Sequence, residues 1–144
     1  MSVHVAPLPV LDAAAAAPLV TLLRQRLPGL LAVYGFGSRV QGTARPGSDL
    51  DMAVLVPGYV PALQLWELAG ELAALAGIDI DLLDLRAAST VMQYQIVTTG
   101  RRWWAEGSQA ALYEAAILSQ KTALDTARAG LLADIMQRGS VHGR

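Results

Sequence analysis

The chain has no cysteine among its 144 residues. Disulfide frameworks, thiolate nucleophiles and zinc–thiolate sites are therefore excluded. The two histidines, His4 and His142, lie near opposite ends of the sequence. This separation argues against a histidine metal site and against a Ser–His–Asp triad, since both need such side chains at one place.

Charge is also scarce, because Asp, Glu, Lys and Arg make up only 16% of the chain and its formal net charge is −1. A near-neutral chain has no global basic field, so we expect no direct nucleic-acid partner. We expect no signal peptide, since no basic n-region is followed by an apolar h-region. We expect no membrane span, since the longest apolar runs are alanine-rich or broken by proline and glycine. The expected location is the cytoplasm.

The length is that of one domain. We expect residues 1–144 to form it, with a core over about 10–106 and a C-terminal helix over about 108–138. Asp12 suits the N-cap of the first helix, although Pro18 would suit a later start. Helices are predicted at 12–27, 61–77, 90–99 and 108–138, strands at 30–34, 49–56, 78–85 and 101–106, and a helical turn at 38–42. This order predicts an α/β or α+β domain with helices packed on a small mixed sheet.

Five of the 12 acidic residues fall within two apolar, strand-like runs. Asp49 and Asp51 are two residues apart, so a strand directs both carboxylates to one side. In the later run, Asp79 and Asp81 share a face and Asp84 takes the other. Neighbouring carboxylates repel, and a divalent cation is the usual reason to keep such a pair. A third ligand, Asp81 or Asp79, would complete a site for two metal ions.

A glycine-rich turn precedes these acids and predicts an anion site. Gly37 allows the backbone to approach a phosphate closely, and Ser38 adds a hydroxyl group. Arg39 and Arg45 either add charge-assisted contacts to phosphate or remain solvated in the loop. An anion site beside a metal pair is what a nucleoside triphosphate requires, so the pattern indicates nucleotidyl transfer.

The motifs resemble those of the minimal nucleotidyltransferases in the DNA polymerase β superfamily. The matching segments are Gly37-Ser38, Ser48-Asp49-Leu50-Asp51 and Ile80-Asp81-Leu82-Leu83-Asp84-Leu85. The compact length and the single long C-terminal helix are similar to those of the antitoxins of MNT–HEPN toxin–antitoxin pairs. The resemblance implies a polymerase-β-like fold, two Mg²⁺ ions and ATP as substrate. It also implies transfer of AMP to a tyrosine of a HEPN ribonuclease toxin, which is thereby neutralised.

The resemblance also assigns roles to individual residues. The catalytic metal ligands would be Asp49, Asp51 and Asp81. The phosphate-binding pair would be Gly37 and Ser38, and we add Arg39 and Ser48 to it as candidates. Asp81 is preferred to Asp79 because the family's third acid is followed by two apolar residues, but the extra acid keeps the choice open.

Two other functions remain open. A small-molecule nucleotidyltransferase of the aminoglycoside-modifying kind usually carries a further helical domain, and only about 40 residues follow the predicted core. A non-catalytic antitoxin would block its partner by binding alone, and the complete set of acids disfavours that reading.

Several apolar residues are assigned to the interior. Trp66 is interpreted as helix packing. The stripe containing Ile117, Leu124 and Leu131 is predicted to cover the sheet, although a partner could dock there instead. Trp103 and Trp104 lie on the last predicted strand, where stacking on adenine is the alternative to packing.

Overall fold

A computed structural model describes residues 8–142, and the surroundings of side chains as far as residue 138. The helices are α1 (Ala13–Arg26), α2 (Ser38–Gln41), α3 (Ala62–Ala76), α4 (Thr90–Thr99) and α5 (Gln109–His142). The strands are β1 (Ala32–Phe36), β2 (Leu50–Leu55), β3 (Ile80–Asp84) and β4 (Arg101–Ala105). The predicted fold class, a small mixed sheet with packed helices and a long last helix, is confirmed. Within the described range, no helix has the length and apolar content needed to cross a bilayer.

The four strands form one sheet in the order β3-β2-β1-β4. β1 is antiparallel to both β2 and β4, whereas β2 and β3 are parallel and joined through α3. Since parallel strands start at the same edge of a sheet, Asp51 lies beside Asp81. The antiparallel β1 ends at that edge, where Phe36 pairs with Asp51. One end of the sheet therefore gathers the turn after β1 and the first residues of β2 and β3.

Helices cover both faces of this sheet. One apolar cluster packs the sheet against α1 and α3 and includes Leu23, Met52 and Leu72. The other packs it against α4 and α5 and includes Tyr34 and Ile96. Side chains alternate along the strands, so Asp51 lies on the same face as Ala53 in the second cluster.

Near the N-terminus, one predicted boundary is wrong in detail and the choice between Asp12 and Pro18 is settled. The first strand begins two residues later than predicted, because Leu30 and Leu31 are buried ahead of the ladder while Gly35 and Phe36 belong to it. The first helix does not start at Pro18, which lies inside α1. Its start is set by the Asp12 carboxylate, which accepts a hydrogen bond of 2.9 Å from the Ala15 N–H.

The last helix, α5, is much longer than α4, the helix that packs against it. α5 has 34 residues and α4 has ten. Ile117 is buried and Leu124 half-buried, but Leu131 is 59% exposed. The prediction that this stripe covers the sheet holds at Ile117 and is wrong at Leu131, which lies outside the apolar cluster on this face of the sheet.

Candidate active site

The site forms where three strand ends meet. Asp51 and Asp81 are direct neighbours in the parallel ladder, so their side chains project from the same face. Asp49 lies just ahead of β2, and its charge is close enough to act on the Asp51 carboxyl. The Leu50 N–H donates to the Asp79 carbonyl at 2.9 Å, which extends the pairing back beyond β3. The fold thus brings the three predicted acids together.

The three carboxylates repel one another. Asp51 is half-buried, and the pKa of its carboxyl is raised above the ordinary value, first by burial and then by the charges of Asp81 and Asp49. A raised carboxyl pKa means that the surroundings disfavour the ionised form of Asp51. A bound divalent cation would stabilise that ionised form.

The carboxylates of the site are not arranged as a complete metal-binding site. In the part of the chain that the structure describes, no group of three or more His, Cys, Asp or Glu side chains is arranged to hold a metal ion. The donor set is nonetheless of the oxygen type that hard divalent cations prefer. Asp49 and Asp81 are exposed, so rotation of these two side chains would be the movement that completes coordination.

Gly37 brings the anion turn against the acids. Its φ of +75° lies in the left-handed region. A Cβ at this position would collide with Oδ2 of Asp51. The Val40 and Gln41 N–H groups donate to the Gly37 carbonyl at 3.1 and 2.9 Å, which closes the turn of α2. As at any helix start, the N–H groups of the first residues then have no intrahelical partner.

Arg39 and Ser48 are joined to each other. The Nε and Nη2 of Arg39 donate to the Ser48 carbonyl at 3.0 and 2.9 Å. The Ser48 hydroxyl accepts from the Arg45 N–H at 2.9 Å. These contacts fix the loop before Asp49 against α2. The predicted contact of Arg39 and Ser48 with phosphate stays a prediction.

Asp84 lies apart from the site, as the alternation predicts. It is only 4% exposed. Its carboxylate accepts hydrogen bonds from the N–H groups of Val60, at 2.8 Å, and Arg86, at 3.1 Å. Asp84 is therefore a structural acid that holds the chain entering α3 and the turn after β3.

One of the three tryptophans departs from its predicted role. Trp66 is 75% exposed, so its interpretation as packing is wrong. It lies outside the stripe of Leu68 and Leu72 that packs α3, and this offset was visible in the sequence. Trp104 carries the Arg24 guanidinium 4.6 Å from its ring centroid, and the Trp103 ring fills the space beside Gly35. Both rings thus pack against the apolar core, as the packing interpretation predicts.

Comparison with known proteins agrees with this geometry. The model of the family described as polymerase beta, nucleotidyltransferase, matches residues 19–106. The chain belongs to this family, which confirms the predicted class.

One relative is a protein adenylyltransferase, MntA of Shewanella oneidensis (strain MR-1). It is 38% identical over 118 residues, which cover 82% of this chain and 85% of MntA. A solved toxin–antitoxin structure with AMP-PNP has a TM-score of 0.74 and 38% identity, over 83% of this chain and 97% of that one. A complex of tri-AMPylated Shewanella oneidensis HEPN toxin with MNT antitoxin has a TM-score of 0.68 and 35% identity, over 83% and 94% of the two chains.

Proposed function

We propose that this chain is an antitoxin-type protein adenylyltransferase. It transfers AMP from ATP to a tyrosine of a HEPN ribonuclease toxin and so neutralises that toxin. The observation that carries the proposal is the pairing of Asp51 with Asp81 beside the Gly37 turn, in a chain 38% identical to a protein adenylyltransferase. We further propose that residues 1–144 are a single nucleotidyltransferase domain and that it acts in the cytoplasm, where ATP is made.

Asp49, Asp51 and Asp81 are the residues that would hold magnesium, and two ions suit their charge. When bound, the cations neutralise the triphosphate and the departing pyrophosphate. Gly37 and Ser38 would bind the β- and γ-phosphates through backbone N–H groups and the serine hydroxyl.

Arg39 and Ser48 complete the proposed phosphate-binding group. Arg39 holds the Ser48 carbonyl through Nε and Nη2, so its Nη1 is the nitrogen left for a phosphate oxygen. The guanidinium would then hydrogen-bond both to the nucleotide and to the loop before Asp49.

Asp81 would take the proton from the acceptor. The tyrosine oxygen forms a bond to the α-phosphorus, and the bond from that phosphorus to the bridging oxygen of the β-phosphate breaks. The hydroxyl proton passes to the Asp81 carboxylate, and pyrophosphate leaves. Asp81 is exposed on an edge strand, so a side chain of another protein can reach it.

The test is labelling with ATP carrying ³²P at the α-phosphorus. The chain is incubated with magnesium and a HEPN ribonuclease toxin, and the products are separated by size. We expect label on the HEPN protein, lost in Asp49→Ala and after EDTA treatment. Label on an added aminoglycoside instead would support the small-molecule function. Inhibition of the toxin without any label would support the non-catalytic antitoxin.

A further inference from the structure

A groove of about 860 Å³ runs along the outer side of α3 towards the site. Trp66 lines it near the start of the helix, and Asp49 and Asp79 line it where β2 and β3 begin. The residues from Trp66 to Ala74 span about 12 Å at 1.5 Å per residue. The groove thus links an exposed tryptophan to one of the proposed metal ligands.

The shape of the groove suits another helix. Between its ends, four of the lining residues are small, namely Ala69, Gly70, Ala73 and Ala74. A Cβ built at Gly70 would meet no atom within 4 Å, so the surface there is open. Small side chains allow two helices to pack at a short interaxial distance. Trp66, which is 75% exposed, supplies the large aromatic side chain that commonly anchors an interface.

The charge of the groove is of one sign. Asp49, Glu67, Glu71 and Asp79 line it, and none of the described residues that line it is basic. Only Glu71 makes an ion pair among those described, with Arg26 from α1. Such a groove repels a polyanion such as a second nucleotide or RNA and attracts a cationic surface.

We propose that this groove binds a basic helix of the acceptor protein, with Trp66 as its anchor. The inference rests on the proposed function and names the surface that would select its protein substrate. A ribonuclease must bind a polyanion, so the surface around its own active site is basic. An acceptor held in the groove would present its hydroxyl group at the end where Asp49 lies.

The test separates recognition of the toxin from the chemistry. Trp66→Ala and Glu67→Lys are compared with two controls, Met136→Ala and Glu106→Lys. Met136 is 74% exposed on α5, and Glu106 is an exposed acid that follows β4 at the other end of the sheet. All four positions are exposed, so the variants should fold, and circular dichroism checks this.

Initial rates of toxin labelling are measured against the concentrations of toxin and ATP. Each groove variant should raise the KM for the toxin roughly tenfold, as loss of an interface anchor does, while kcat at saturating toxin and the KM for ATP stay unchanged. Added salt should raise the wild-type KM for the toxin more than that of Glu67→Lys. The control variants should match the wild type.

A KM for the toxin that changes less than twofold in both groove variants would overturn the inference and leave the proposed function standing. Groove variants that alter the KM for ATP rather than the KM for the toxin would also overturn the inference. A wild-type chain that does not label the toxin at all removes the proposed function and this inference together.

Discussion

Gly37 and Asp51 are packed so closely that the Asp51 carboxylate occupies the space that a side chain at position 37 would need. The two residues belong to different segments, the turn after β1 and the second residue of β2. The close approach places the backbone of the anion turn directly against a proposed metal ligand. It also makes position 37 a sensitive probe of the site.

Gly37→Ala should sharply reduce both nucleotide binding and transfer. The left-handed backbone costs about 1–2 kcal/mol for an alanine, and the new methyl group displaces the Asp51 carboxylate. The matched control is Gly47→Ala, because Gly47 has a φ of +88° but an open surrounding. Titration with ATP and magnesium, together with thermal unfolding, measures both effects. The control should lose similar stability and keep its nucleotide affinity, whereas equal loss of affinity in both variants would contradict the packing argument.

Asp51→Asn should abolish transfer and make the metal-free protein more stable at neutral pH. The folded protein raises the Asp51 pKa above the ordinary 3.8, so it binds this proton more tightly than the unfolded chain. That contribution to stability is complete below the unfolded pKa and is lost as the pH rises through the folded pKa. Thermal unfolding in EDTA from pH 3 to pH 7 should therefore show that the stability of the variant relative to the wild type increases as the pH rises. A constant difference across that range would contradict the assignment.

Asp81→Asn should lower kcat by about 10²–10⁴, the usual contribution of a positioned acid or base. Asp79→Asn should leave kcat at saturating toxin unchanged, because Asp79 precedes β3 and lies outside the pairing of Asp51 with Asp81. Single-turnover labelling at saturating toxin and ATP makes the comparison. The reverse pattern would assign the third metal ligand to Asp79.

Asp84→Ala should destabilise the fold without touching the chemistry. It leaves the buried N–H of Val60 and the half-buried N–H of Arg86 without acceptors, and a buried unsatisfied group costs about 1–3 kcal/mol. Asp81→Ala serves as the control on the same strand and should not destabilise the protein. Urea unfolding gives the free energies, and labelling at low temperature should show that the folded Asp84→Ala chain still transfers AMP.

Local signals in the sequence were enough for several elements. α4 has the predicted bounds because Ser89 caps its start and Gly100 ends it. The Ser89 hydroxyl oxygen accepts a hydrogen bond of 3.1 Å from the Met92 N–H. The alternation likewise assigned Asp81 and Asp84 correctly to opposite faces of β3. These signals depend on neighbouring residues, which the sequence displays directly.

Other features depend on distant parts of the chain. The pairing of Asp51 with Asp81 is set by the path through α3, and no residue near either aspartate encodes that register. The exposure of Leu131 depends on which residues pack against α5, and the helical stripe alone could not show it. The bond from Arg39 to the Ser48 carbonyl joins residues nine positions apart through a loop of irregular shape. In each case the missing information was a long-range contact.

The Arg39 guanidinium has a consequence for how ligands would cooperate. It fastens the helix that follows Gly37 to the residue just before Asp49, so the segment that would grip triphosphate and the segment that would grip cations cannot shift independently. When the binding sites of two ligands are coupled in this way, each ligand changes the affinity of the other by the same factor. We therefore expect ATP and magnesium to bind cooperatively, so that a shortage of either ligand lowers the occupancy of both.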